Sequence, residues 1–80
     1  MPIPNASNSI TIRVKYANQV GSLATLIRAI ADAGGSLGSI DIVEVDHRQI
    51  VRDVDVDCVD PSHEFRIVEA IKELPGVEVI

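Results

Sequence analysis

The sequence Asn18-Gln19-Val20-Gly21-Ser22-Leu23 marks the point where a strand pattern ends and a helix pattern begins. Before it, apolar and polar residues alternate over residues 10–16, which indicates a strand with one buried face. After it, apolar residues recur three and four positions apart over residues 22–33, as in a helix with one buried stripe. We therefore predict a strand, a tight turn and a helix as the first unit of the fold.

This turn also has the residue types of a small binding site for an anion. Gly21 can adopt a backbone conformation closed to other residues, or let a ligand approach the main chain closely. Ser22 is a typical helix cap, and the free N–H groups of the first helical turn would suit a carboxylate. Such turns also join strands to helices without any ligand, so the local sequence leaves both interpretations open.

The remaining segments predict three more strands and a second helix. Gly34 and Gly35 should end the first helix. Residues 37–46 form an apolar pattern that changes parity near Ile42, which predicts a strand with a bulge there. A polar reversal and a second alternating run over residues 50–59 predict a hairpin. Asp60 and Pro61 then begin the second helix.

The order of these elements is strand, helix, strand, strand, helix, strand, with the fourth strand starting at Val77. It predicts an α+β fold, the ferredoxin-like βαββαβ sandwich, in which two helices cover one face of a four-stranded antiparallel sheet. Residues 1–8 are polar and contain two prolines, so we expect a flexible lead-in before a folded domain at residues 9–80. Because the chain stops inside an apolar strand, we expect it to be a piece of a longer protein.

The amino-acid composition of the chain limits which partners it can bind and in which cellular compartment it is expected. The net charge of −5 and the isoelectric point near 4.7 argue against binding to nucleic acid or to an anionic membrane. Cys58 is the only cysteine, so no internal disulfide can form and a reducing compartment fits. With no apolar run of membrane-spanning length and no signal peptide pattern, we expect a cytoplasmic protein.

The acidic run Asp53, Asp55 and Asp57 has the ligand spacing of a calcium-binding EF-hand loop that ends at Glu64. The alternating valines indicate a strand instead of a loop, and Cys58 stands where that loop requires glycine. We interpret the run as the solvent side of a strand. Arg13 and Lys15 on the first strand should face it, since this topology places the first strand beside the third.

No catalytic constellation emerges from the remaining side chains. His47 and His63 lie at opposite ends of the third strand, too far apart to share a metal. Cys58 is predicted to point into the core, where a thiol is inert. An acylphosphatase-type site would need an arginine in the first turn, which this turn lacks. We therefore expect no enzymatic activity from this chain alone.

Taken together, these residues resemble an ACT domain, the regulatory module that commonly binds amino acids or other small effectors. The resemblance covers residues 10–80. The turn at residues 18–23 is similar to the family's Asn-x-Pro-Gly-x-Leu turn, with Val20 in place of the proline. Ser36 stands where amino-acid-binding members often carry a second asparagine.

A narrower resemblance links residues 33–43, 50–54 and 74–77 to the N-terminal ACT domain of bacterial NAD-dependent malic enzymes. It implies that a catalytic part follows and decarboxylates malate oxidatively with NAD and a divalent metal. None of that machinery is expected in these 80 residues, which should hold no cofactor and no metal.

The resemblance also implies where an effector would bind. It would lie between the first helix and the second strand, at the seam of two copies, so the chain should form at least a homodimer through its sheet edges. The implied binding residues are Asn18, Gln19, Val20, Gly21, Ser22, Leu23, Ser36 and Ser39. Two functions remain open: an effector-binding regulatory domain, and a pure assembly module with no effector.

Overall fold

The computed structural model describes residues 3–80 and confirms the predicted ferredoxin-like sandwich. The four strands form one antiparallel sheet in the order β2-β3-β1-β4. In chain order the elements are β1 (Asn5–Ala17), α1 (Ser22–Asp32), β2 (Ser36–Val45), β3 (Gln49–Cys58), α2 (Pro61–Lys72) and β4 (Glu78–Val79).

The core lies between the central strands β1 and β3 and the two helices. Because side chains alternate along a strand, every second residue of β1 and β3 faces the helices. The helices contribute Leu26 and Ile30 from α1, and Ile67 and Ile71 from α2, all fully buried. Burial of one such aliphatic side chain stabilises the fold by about 1.5–3 kcal/mol. The fully buried strand residues are Val14, Val54, Val56 and Cys58.

The bulge predicted in the second strand is confirmed. The register between β2 and β3 shifts between Ile42 and Glu44, and a second shift lies between Leu37 and Ile40. Since β2 is an edge strand, its C-terminal half is poorly covered. Ile42, Val43 and Val45 are exposed by 58%, 44% and 53%.

The structure differs from the sequence prediction at the N-terminus. β1 begins at Asn5 instead of Ile10, so residues 5–8 continue the strand instead of forming a flexible lead-in. Asn5 pairs with Cys58 of β3, and the Asn8 Nδ2 donates to the Val59 carbonyl at 3.1 Å. Backbone pairing and a side-chain hydrogen bond thus hold residues 5–8 against the end of β3, although these residues have no apolar pattern. Met1 and Pro2, the first part of the predicted lead-in, lie outside the described residues.

On the sheet face opposite the helices, Arg13 faces Asp53 as predicted, whereas Lys15 lies opposite Val51 instead of an aspartate. Arg13 donates to Asp53 through Nε at 2.8 Å and Nη2 at 3.0 Å, and this contact lowers the pKa of the Asp53 carboxyl. Ser39 and Thr11 donate to Asp55 at 2.6 and 2.7 Å, and these hydrogen bonds lower the pKa of the Asp55 carboxyl.

The alternation of residues 50–59 also predicts that Val51 faces solvent on the same side as Asp53, Asp55 and Asp57, and this prediction is wrong. Its side chain is 9% exposed although it lies on the polar face. Its Cα partners are Lys15 on β1 and Glu44 on β2, both long side chains. Such stems can cover an apolar neighbour while their charged ends stay in water.

Candidate functional site

The turn between β1 and α1 is built around Gly21, whose φ is +87°. Few residues other than glycine adopt this left-handed conformation. Gly21 is the N-cap of α1, with no side-chain hydrogen bond capping the helix. The prediction that Ser22 caps the helix is therefore wrong. The left-handed glycine turns the chain one residue earlier, so Ser22 is the first helical residue and its N–H donates to the Gln19 carbonyl at 3.2 Å.

Two backbone donors at the start of α1 remain free. The first N–H groups of a helix have no acceptor within the helix itself. Thr25 N–H reaches the Gly21 carbonyl at 3.0 Å. Among residues 3–80, the N–H groups of Leu23 and Ala24 have no such acceptor in the preceding turn. They carry the partial positive charge of the helix N-terminus, which favours a carboxylate.

The beginning of the turn is fixed to the β2–β3 hairpin. Asn18 Nδ2 donates to the Asp46 carbonyl at 2.8 Å, and Asn18 N–H donates to the Arg48 carbonyl at 3.0 Å. The Asp46 carboxylate in turn accepts the N–H groups of Gln49 and Arg48, which lowers the pKa of Asp46. The Asn18 amide group therefore holds the turn against the hairpin, and its Nδ2 is already engaged there.

A small cleft of about 140 Å³ lies against this turn. Its volume is below the usual range for drug-sized ligands, roughly 300–1,000 Å³, so it suits only a very small molecule. Sequence reasoning missed its far wall, residues 75–77, which lie far along the chain. The signal was available in the topology, because β4 lies beside β1 and the loop before β4 must then lie near the end of β1. The lining residues are Tyr16, Ala17, Gln19, Ser22, Thr25, Pro75, Gly76 and Val77.

The structure does not bring all the predicted site residues together in one chain. Those at positions 18–23 are contiguous, with Val20 fully exposed. Ser36 pairs with Asp57 at the far end of β3, whereas Ala17 pairs with Gln49 at its near end. At about 3.3 Å per residue, these ends are roughly 26 Å apart. Ser39 also lies away from the turn, where its hydroxyl donates to Asp55.

A larger cleft lies elsewhere, between α2, β1 and the C-terminal residues Val79 and Ile80. It measures about 410 Å³, and none of the predicted site residues line it. Phe65, at its rim, is 67% exposed. Because none of the turn residues line this cleft, it is separate from the candidate effector site.

His63 has a structural role that the sequence did not indicate. It is 3% exposed and links two distant segments. Val59 N–H donates to Nδ1 at 2.8 Å, and Nε2 lies 2.7 Å from the Ala33 carbonyl. Since a carbonyl only accepts, Nε2 carries the proton.

Cys58 is buried, as predicted. Burial raises the pKa of the Cys58 thiol, which keeps the thiol unreactive.

Within residues 3–80, no group of three or more His, Cys, Asp or Glu side chains is placed to hold a metal ion. None of the helices in this part of the chain is long and apolar enough to cross a membrane.

Comparison with known families identifies this architecture. The family model of the ACT domain matches residues 10–76. The chain belongs to the ACT domain family. ACT domains are regulatory modules that bind small molecules, and the β1–α1 turn of this ACT domain contains Val20 and Gly21.

A curated relative of this ACT domain is the NAD-dependent malic enzyme of Geobacillus stearothermophilus. The two are 32% identical over 81 residues, which cover all of this chain. The chain spans 17% of the length of that relative. The homology therefore concerns one domain of a much longer enzyme.

Proposed function

We propose that this ACT domain binds a small carboxylate-bearing effector, such as an amino acid, at the start of α1. The observation that carries the proposal is the pair of free N–H groups at Leu23 and Ala24, beside the left-handed Gly21. A carboxylate placed there would accept both hydrogen bonds and lie at the positive end of the helix dipole.

The turn is suited to this role because it is already ordered. The bonds from Asn18 to the hairpin and from Ser22 to Gln19 hold its backbone in place. A binding loop that is fixed in advance loses little conformational entropy when a ligand arrives. The remaining acceptor of the Asn18 amide, Oδ1, completes the proposed contacts of the effector.

We further propose that the parent protein is a cytoplasmic NAD-dependent malic enzyme. The match over the whole chain to a malic enzyme supports this assignment. NAD and the divalent metal would then be held by a catalytic part outside these 80 residues. The domain would act by linkage: an effector that favours one arrangement of the enzyme shifts the equilibrium by typically about 1–3 kcal/mol of coupling.

A homodimer would reconcile the scattered predicted residues. Ser36 and Ser39 lie too far from the turn to contact the same small ligand within one chain, whereas a second copy could present them to it. The edge strand β2 offers unpaired backbone groups and the exposed side chains Ile42, Val43 and Val45. Pairing of the β2 edges of two copies would cover the unpaired backbone groups and the exposed side chains.

The same edge favours a second candidate function, an assembly module without an effector. In that case the domain serves only to join two copies through their β2 edges, and Gly21 serves only to turn the chain. The Val20 and Ser36 departures from the family pattern fit this alternative.

A thermal-melt screen against the twenty amino acids, malate, fumarate and nucleotides separates the two functions. A ligand present at a hundred times its dissociation constant stabilises the fold by about 2.7 kcal/mol. On a domain of this size we expect the midpoint to rise by roughly ten degrees or more. The response should disappear in Gly21→Val, because a β-branched residue cannot adopt the left-handed conformation without strain.

Phe65→Ala is the matched control, since it alters the cleft beside α2 and leaves the turn intact. It should retain the full response. If no compound shifts the midpoint while the chain sediments as an intact dimer, the assembly module is the better account.

A further inference from the structure

β4 covers only one end of the β1 edge that it faces. β1 is 13 residues long, whereas β4 is two residues long. Among residues 3–80, no strand pairs with the part of that edge formed by residues 5–12. Unpaired edges of this kind are surfaces to which an extended peptide can add as a further strand. The two pairs that β4 forms are Val14 with Val79 and Lys15 with Glu78.

The backbone groups of Thr11 are free on this edge. Ile80 N–H donates to the Arg13 carbonyl at 2.9 Å, so the backbone groups of Arg13 point toward β4. Because these groups alternate in direction along a strand, those of Thr11, two residues earlier, point the same way. In the described part of the chain, no strand pairs with Thr11 there. Thr11 therefore offers one N–H and one carbonyl to a strand that continues β4.

The cleft beside α2 lies along the same edge. It measures about 410 Å³, and residues 10–13 of β1 form one of its walls. Phe65, the only phenylalanine of the chain, lines it and is 67% exposed. Ile80 also lines it and is 57% exposed. The site thus combines free backbone groups with apolar side chains, which is how sheet edges bind extended peptides. The remaining lining residues outside β1 are Glu64, Val68, Glu69, Lys72 and Val79.

The register of β4 determines where a longer strand would place its side chains. The two strands are antiparallel, so each step beyond Ile80 moves one residue back along β1. The first residue after Ile80 would lie opposite Ile12, the second opposite Thr11 and the third opposite Ile10. Ile12 and Ile10 pack on the core under the helices. The first and third residues would therefore face α2 and the cleft, and the second would face the polar side of the sheet.

We propose that, in the parent enzyme, the residues immediately after Ile80 continue β4 along β1 and fill the cleft beside α2. This inference rests on the proposed parent, a protein of which this domain is a small part, as it is of the curated relative. The first and third residues are apolar and cover Phe65, and the second pairs with Thr11. Because the segment is covalently attached, its pairing is intramolecular and is favoured by a high effective concentration. The connection to the catalytic part then begins as an ordered strand of this sheet.

Hydrogen exchange at the threonine amide groups tests the pairing. The 80-residue chain is compared by NMR with a chain that continues through the next ~10 residues of the parent, enough for a typical strand. Thr11 and Thr25 are the only threonines of the 80 residues, and Thr25 N–H is bonded to the Gly21 carbonyl in both chains. Relative to Thr25, we expect the Thr11 amide to exchange about tenfold or more slowly in the longer chain.

Phe65→Ala tests whether the added segment fills the cleft. In the longer chain it should lower the melting midpoint by roughly 4–8 °C, because it removes an apolar contact with the segment. In the 80-residue chain, where Phe65 is largely exposed, the fall should be less than about half as large. Ile42→Ala is the matched control. It removes a side chain of similar exposure, 58%, from β2 at the opposite edge of the sheet, and should affect both chains equally.

Four results would overturn this inference while leaving the effector site and the parent assignment intact. They are equal exchange at Thr11 in the two chains, an equal effect of Phe65→Ala on both, and charged residues at the first and third positions after Ile80. The fourth is slow exchange at Thr11 in the 80-residue chain that becomes fast on dilution, because a second copy would then occupy the edge. A natural protein that ends at Ile80 would instead reject the proposed parent together with this inference.

Discussion

His63→Ala should lower the free energy of unfolding by about 3 kcal/mol. The imidazole joins the end of α1 to the start of α2 through the Ala33 carbonyl and the Val59 N–H. Removing it leaves a donor and an acceptor without partners in a partly buried place, each costing about 1–3 kcal/mol unless water replaces the contact. For a domain of this size the melting midpoint should fall by roughly 12–24 °C.

His47→Ala is the control for the same chemical change. His47 lies exposed in the hairpin, and surface substitutions of this kind usually change stability by less than about 0.5 kcal/mol. Equal losses in the two variants, measured by urea unfolding, would show that His63 does not link the helices as the structure indicates.

Gly35→Ala should also cost about 3 kcal/mol, at the upper end of the usual range for an overpacked core. A Cβ at this position would lie 2.8 Å from Val56 Cγ1, 2.9 Å from Ile67 Cδ1 and 3.0 Å from Ile30 Cγ2. These three side chains are fully buried, so they have no free space to move into. Thermal and urea unfolding should both report the loss.

Gly76→Ala provides the contrast. Gly76 has a φ of +76° and nothing within 4 Å of the added Cβ, so only the backbone conformation opposes the substitution. We expect a loss of about 1 kcal/mol. If Gly35→Ala were no more destabilising than Gly76→Ala, the close packing of the α1–β2 turn at Gly35 against the core would be wrong.

Most of the fold could be predicted because the sequence repeats its apolar residues at the period of each element. The alternation in β1 and β3 and the parity change at Ile42 were sufficient to place the central strands and the bulge. The two glycines after Ala33 also end α1 as predicted, with N–H bonds from Gly34 to Ala31 and from Gly35 to Ile30.

The exceptions depend on contacts that no local pattern records. Residues 5–8 form a strand through pairing and side-chain bonds to a segment about 50 residues away, as in the bond from Asn8 to Val59. Val51 is buried on the polar face, next to the long side chains of Lys15 and Glu44. In both cases the contacts come from segments that only the folded sheet brings together.

In the candidate site too, features with a local sequence signal were predicted and features that depend on distant contacts were not. The turn was found from Gly21 and the change of periodicity, which are local signals. The assignment of Ser22 as the cap was wrong because it depended on one backbone angle, the left-handed φ of Gly21. The wall of the cleft at residues 75–77 arises only when the strands come together.

The most direct test of the central claim is a ¹⁵N–¹H NMR titration of the chain with the compound that raises the melting midpoint most. The account predicts that the largest shifts occur at the amide groups of Gly21, Leu23 and Ala24, which lie at the free start of α1. Largest shifts at Thr11 and Phe65, which line the cleft between α2 and β1, would contradict it. So would the absence of any shift with every compound in the panel.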